Sequence, residues 1–202
     1  MSNFVIVNPG FGGAPPVTQT DQTNTIYPNN GLRFPIGATM LASDAGSSAS
    51  LVTAQGGTAN NPGLGYARFV YVQGSNIGSS GMVAMIVPQT VPGTNVVYQA
   101  QACTAATNSQ WPVGVAAAVL NATSQYGWVQ IEGICDFVRF TNSSIAAGIP
   151  LYQGATAGIL HSATADGSYY RGITPVQSYT SSQTVGVCYL QNPSLAPGSA
   201  VV

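Results

Sequence analysis

Turn-forming residues interrupt this chain so often that short strands, not long helices, are the elements it can build. Gly and Pro clusters recur about every 8–16 residues, a spacing that suits a β-sandwich or barrel. The 202 residues include 24 glycines and 13 prolines. Between the turns stand short runs of aromatic and β-branched residues, which pack well on a pleated, half-buried surface.

The pattern is clearest in five segments. Residues 66–73, Tyr-Ala-Arg-Phe-Val-Tyr-Val-Gln, end at Gly74 and read as a strand. Residues 82–87, Met-Val-Ala-Met-Ile-Val, are apolar on both parities between Gly81 and Pro88, as in a strand covered on both faces. Residues 96–103 alternate, with Tyr98, Ala100 and Ala102 opposite Gln99 and Gln101. Residues 113–120 have the alanines of a helix, but Pro112, Gly114 and the short length favour a strand. In residues 128–140, alternation puts Val129, Ile131, Gly133, Cys135 and Phe137 on a core face, with a bulge or bend expected at Gly133. Further strands are expected over 149–153, 159–162, 168–173 and 185–190. The fold class is therefore all-β, a compact sandwich or barrel-like domain over residues 36–190, followed by an irregular tail over 191–202.

Residues 1–35 differ. After a short strand at Phe4–Val7, the chain is dense in turn and polar residues with almost no periodic apolar face. It reads as an extended arm; residues 8–35 fully stretched would span roughly 90 Å. Phe11, Ile26 and Tyr27 are spaced apolar anchors by which such an arm could dock on a neighbour.

Charge limits the function. The chain carries four Lys+Arg and five Asp+Glu, so 4% of its residues are charged and its net charge is −1. An ordinary domain carries about 25%. All four cations are arginine; lysine is absent. Ser, Thr, Asn and Gln make the surface polar without making it repulsive, which suits a protein packed against other proteins. No basic cluster offers a footprint for nucleic acid, and no apolar run has the 18 or more residues of a membrane span. The start of the chain lacks the basic region of a signal peptide. Cys103, Cys135 and Cys188 are odd in number and widely spaced, unlike a disulfide framework or a zinc site. They are expected to be buried free thiols in a protein made in a reducing cytoplasm.

Enzyme chemistry finds little to stand on. His161 is the single histidine and has no nucleophile motif around it, and there is no Gly-x-Ser-x-Gly elbow or lysine-bearing phosphate loop. Glu132 and Asp136 are the closest carboxylates; on a straight strand they would lie roughly 13 Å apart, beyond the roughly 5–9.5 Å of glycoside hydrolysis. With Arg139 nearby, these three read better as an ion-pair cluster at a subunit contact. No catalytic residue, metal or cofactor is assigned.

One stretch resembles a known class of protein. Val113-Gly-Val-Ala116 is followed by Tyr126-Gly-Trp-Val-Gln-Ile-Glu-Gly133, Ser144-Ile-Ala-Ala-Gly-Ile-Pro-Leu-Tyr152, Ala157-Gly-Ile-Leu160 and Val185-Gly-Val-Cys188. This succession of short β segments and turns, from Trp111 to about Leu190, resembles the head decoration (cement) proteins of tailed bacteriophages. The resemblance implies a structural virion protein on the capsid exterior, commonly a trimer, assembled in the host cytoplasm and clamping neighbouring major capsid proteins. The rival expectation is a tail-fibre or baseplate module binding a receptor or glycan, for which Trp128, Tyr169 and Tyr170 are the aromatic candidates.

Overall fold

A computed structural model of the chain describes residues 4–6, 21–22, 34, 36–44, 65–90, 96–104, 111–141, 144–162 and 169–196. These form twelve strands and, among the described residues, no helix. In chain order the strands are β1 (Phe4–Ile6), β2 (Asp21–Gln22), β3 (Thr39–Asp44), β4 (Gly65–Ser75), β5 (Val83–Thr90), β6 (Val96–Ala102), β7 (Val113–Ala116), β8 (Gln125–Arg139), β9 (Leu151–Gln153), β10 (Leu160–His161), β11 (Tyr169–Pro175) and β12 (Val185–Ala196).

Five of them close on themselves. β4 pairs β6 in parallel, β6 pairs β5, β5 pairs β7, β7 pairs β8, and β8 returns to β4, the last four pairings antiparallel. Closure removes the open edges that a sheet otherwise presents. The expectation of an all-β, barrel-like domain holds, and the closed barrel is its form. The remaining strands extend the wall: β3 and then β1 continue from β4, and β12, β11, β9 and β10 continue from β8.

Alternation sorts the side chains into two clusters. Val70 and Val72 of β4, Ala84 and Ile86 of β5, Ala100 of β6, Ala116 of β7 and Val129 of β8 pack together with Ile77, Met82 and Leu120. Every barrel strand contributes, so this cluster is the barrel interior, and its three alanines suit the narrow bore of five strands. The neighbouring residues on the same strands, including Phe69, Tyr71, Val83, Met85, Val115 and Trp128, join Phe34, Leu151, Tyr170, Ile173, Cys188 and Leu190 in the main core between the barrel and the outer strands. Barrel strands are thus apolar on both parities, which explains the unbroken apolar run at 82–87.

β8 is the hinge between the two layers. Its first half pairs with β4 and β7; from Glu132 onward it pairs with β12. A register shift against β4 leaves Ile131 as the extra residue. Two residues later Gly133 takes φ +92°, and a Cβ there would lie 2.5 Å from the carbonyl oxygen of Tyr66. Both conditions require glycine. The side-chain amide of Gln130 fixes the bend by donating to the carbonyls of Glu132 (3.2 Å) and Ile134 (3.0 Å).

Two boundaries differ from the sequence reading. β12 runs on through Pro193 to Ala196, so residues 191–196 belong to the sheet and not to an irregular tail. Phe34 lies in the core, its ring edge-on to Tyr71 and Trp128 at 5.4 and 5.0 Å, so the β domain begins before residue 36. Within the proposed arm, β1 pairs antiparallel with β3 and β2 with β8.

Candidate interaction face

Where β3, β4, β8 and β12 run beyond the closed barrel, one row of paired residues crosses all four strands. Leu41 pairs with Arg68, Arg68 with Glu132 and Glu132 with Gln191. Directly paired residues share a face, and all four of these are exposed or partly so. Arg68 Nε lies 3.3 Å from a Glu132 carboxylate oxygen. Two residues along β4 and β12, on the same side, stand Tyr66 and Tyr189, exposed to 66% and 47%; Leu41 is exposed to 52%. Tyr189 is paired with Ile134 on one side and Thr174 on the other. The result is an aromatic and aliphatic face around one self-neutralised ion pair.

Elsewhere on the barrel a row of glutamines is joined without charge. Gln101 Nε2 donates to Gln99 Oε1 (2.7 Å), Gln99 to Gln73 Oε1 (3.4 Å), and Gln73 to the Thr123 carbonyl (2.8 Å). This glutamine chain ties β6 to β4 and to the turn before β8. It shows how a domain with so few charges meets its hydrogen-bonding needs.

The three charged residues singled out in the sequence occupy different places. Glu132 is on the exposed face, but its partner is Arg68, 64 positions earlier in the chain. Asp136 is buried. Arg139 is half-buried and donates from Nε to the Ser80 carbonyl at 2.8 Å. Phe11, Ile26 and Tyr27 lie outside the described residues. The sequence reading missed Leu41, Tyr66, Arg68 and Tyr189. The signal for Tyr66 and Arg68 was present, since both fall on the parity opposite Ala67 and Phe69; Tyr189 likewise alternates with Cys188 and Leu190.

The cysteines are all free and buried. Burial pushes the Cys103 thiol up to about 12 and raises those of Cys135 and Cys188 well above the ordinary thiol value. Such thiols stay protonated and are poor nucleophiles. Cys103 is hydrogen-bonded to the Tyr170 hydroxyl, which donates to Gln153 Oε1. Gln153 Nε2 donates to the Gly154 and Thr156 carbonyls, each at 2.9 Å. His161 lies on β10, its backbone paired with Tyr152. Among the described residues no group of three or more His, Cys, Asp or Glu is placed to hold a metal ion.

Of the aromatics proposed for a glycan, Trp128 and Tyr170 are in the core. Tyr169 is half-buried, with the Arg171 guanidinium 5.7 Å from its ring centre. Compared with known proteins, the chain matches no family model, no curated protein and no solved structure.

Proposed function

We propose that this chain is a capsid cement protein of a tailed bacteriophage, docking on the outer surface of the major capsid protein shell and stabilising it by binding alone. The observation that carries the reading is the face formed by Leu41, Tyr66, Arg68, Glu132 and Tyr189. Interface centres are rich in aromatic residues, and this face carries two exposed tyrosines, its two charges neutralising each other. A sparsely charged, lysine-free surface gives little repulsion between copies. The same reasoning favours a closed homo-oligomer, with a trimer as the form that the family resemblance suggests.

A standard interface of about 1,600 Å² at about 25 cal/mol per Å² gives a gross gain well above the association penalty, with hot-spot quality deciding the net affinity. The two tyrosines are the natural hot spots, because Tyr offers a large rigid contact area with a polar end.

The test is decoration of purified major-capsid-protein shells, followed by electron microscopy and co-sedimentation. The wild-type chain should occupy regular sites on the shell exterior. A Tyr66→Ala, Tyr189→Ala chain should keep its circular dichroism and lose most of that occupancy. Shells that stay bare with the wild-type chain at saturating concentration would rule the reading out.

A further inference from the structure

Beside the exposed face the barrel opens into a cavity of about 440 Å³. It is the next row of the same surface. On β4, Val70 follows Arg68 on the same parity, and its partner Thr39 follows Leu41 on β3. Val70 and Thr39 both line the cavity. The exposed face therefore adjoins the barrel mouth.

The lining is graded. Val70, Ile86 and Val113 form a buried apolar floor, while Thr39 and Asn192 are exposed and Ser194 half-buried at the opening. None of the lining residues is charged. A charged group would enter with no counter-charge to meet it, at a heavy desolvation penalty. A group with an apolar body and one polar end matches both the floor and the rim. Its size falls within the range of small-ligand pockets.

Two pieces of backbone are shaped to make this mouth. On one side, Gly37 takes φ +86° and the Tyr98 ring lies so close that a Cβ on Gly37 would be 2.7 Å from it. The turn and the ring wall depend on each other. On the other side β12 bulges: Arg171 pairs with Ser194 and Ile173 with Leu190, so three residues of β12 stand opposite Gly172 alone. Within that bulge Asn192 has φ +43°, an uncommon left-handed conformation for a residue with a side chain. Asn192 and Pro193 are thereby carried into the cavity lining. Backbone of this kind clusters at ligand clamps, and here it sits at the rim of the cavity.

We propose that the barrel mouth receives a single uncharged aromatic side chain, tyrosine or tryptophan, presented by the protein on which the neighbouring face docks. The ring fills the apolar floor and its hydroxyl or indole N–H meets the polar rim. That the ring arrives on a capsid protein rests on the cement reading; that the cavity takes such a group rests on the geometry.

The experiment has two arms on the full chain. In the first, 4-methylphenol and indole, the free equivalents of the two side chains, are titrated by saturation-transfer NMR against wild type, Thr39→Trp and Ser194→Phe, the substitutions filling the mouth from opposite sides. Both probes should bind wild type, and affinity should fall at least about tenfold in whichever filled variant keeps the native circular dichroism. Absence of binding to wild type, or equal binding to a folded filled variant, overturns the proposal. In the second arm the same variants are offered to shells. A folded, filled variant that decorates shells as tightly as wild type overturns the proposal as well. If wild type leaves shells bare while the first arm succeeds, the cement reading falls and the cavity stands as a site for the same chemistry.

Discussion

The Tyr170 hydroxyl donates to Oε1 of Gln153 inside the main core, joining β11 to β9 through a fully buried polar contact. The contact extends in both directions. Gln153 hands its two N–H groups to the Gly154 and Thr156 carbonyls, and the Tyr170 hydroxyl is also hydrogen-bonded to the Cys103 side chain. Cys103 is also held by backbone, its N–H bonding the Val83 carbonyl at 3.1 Å and its carbonyl accepting from Gly158 at 2.7 Å. This network fastens the end of barrel strand β6 to the outer layer.

Tyr170→Phe keeps the ring and removes the oxygen, leaving Gln153 Oε1 without its donor. An unmet buried group costs about 1–3 kcal/mol, and the variant should lose about that much. Urea denaturation followed by circular dichroism should show a lower midpoint with an unchanged slope. An unchanged midpoint would mean that the network contributes no net stability.

The thiols give a pH dependence whose sign follows from burial. Folded-state thiol values lie above the unfolded value of 9.0, reaching about 12 for Cys103. Below pH 9 both states hold their protons and stability is at its full level. Above it the unfolded state ionises first, and stability falls as pH rises towards the folded values. Tyr170 and Tyr179, also raised by burial, act in the same direction from pH 10 upward. Denaturation midpoints measured from pH 7 to 10.5 should be flat and then decline. Alkylation should modify no cysteine in the native chain at pH 8 and all three after unfolding without reductant; a protected pair would reveal a disulfide.

Much of this fold was legible in the sequence because the barrel strands carry their own signal. The runs at 66–73, 82–87, 96–103 and 128–140 are rich in aromatic or β-branched residues, and each overlaps a strand, with ends that differ by up to three residues. The bend at Gly133 was legible for the same reason. Barrel closure was not, because it joins β4 to β8 across some sixty residues, and local pattern carries no information on which strands meet. β3 was also illegible: Thr39-Met-Leu-Ala-Ser-Asp44 has little β-branched content, and β4 supplies what holds it. The interaction face suffered from the same non-locality, since Glu132 was visible but Arg68 was not identifiable as its partner.

Gly133 and Gly78 make a matched pair of tests. Gly133→Ala meets both a left-handed backbone and a carbonyl 2.5 Å from the new carbon, whereas a Cβ on Gly78 meets nothing within 4 Å. The first should lose more than about 2 kcal/mol, since strain and overpacking add, and the second should stay within about 0.5 kcal/mol of wild type. Thermal melts of the two alanine variants check this. Equal melting temperatures would show that the bend in β8 can relax around a side chain.

The arm can be tested because Phe34 separates it from the core. The Phe34 ring is 4% exposed and packs on Tyr71 and Trp128, so its loss should remove about 3–5 kcal/mol. That is a large share of the 5–15 kcal/mol that keeps a typical domain folded. Deleting residues 1–33 removes β1 and β2, whose pairings cover three and two residues, and should leave a cooperative melt close to that of the full chain. Deleting residues 1–35 takes Phe34 as well and should lower the melt sharply, as should Phe34→Ala in the full chain. On shells, the 1–33 deletion should reduce occupancy if the arm with Phe11, Ile26 and Tyr27 docks on a neighbour. A 1–33 deletion that fails to fold would make the segment part of the domain, and one that folds and decorates as tightly as the full chain would leave the arm without a docking role.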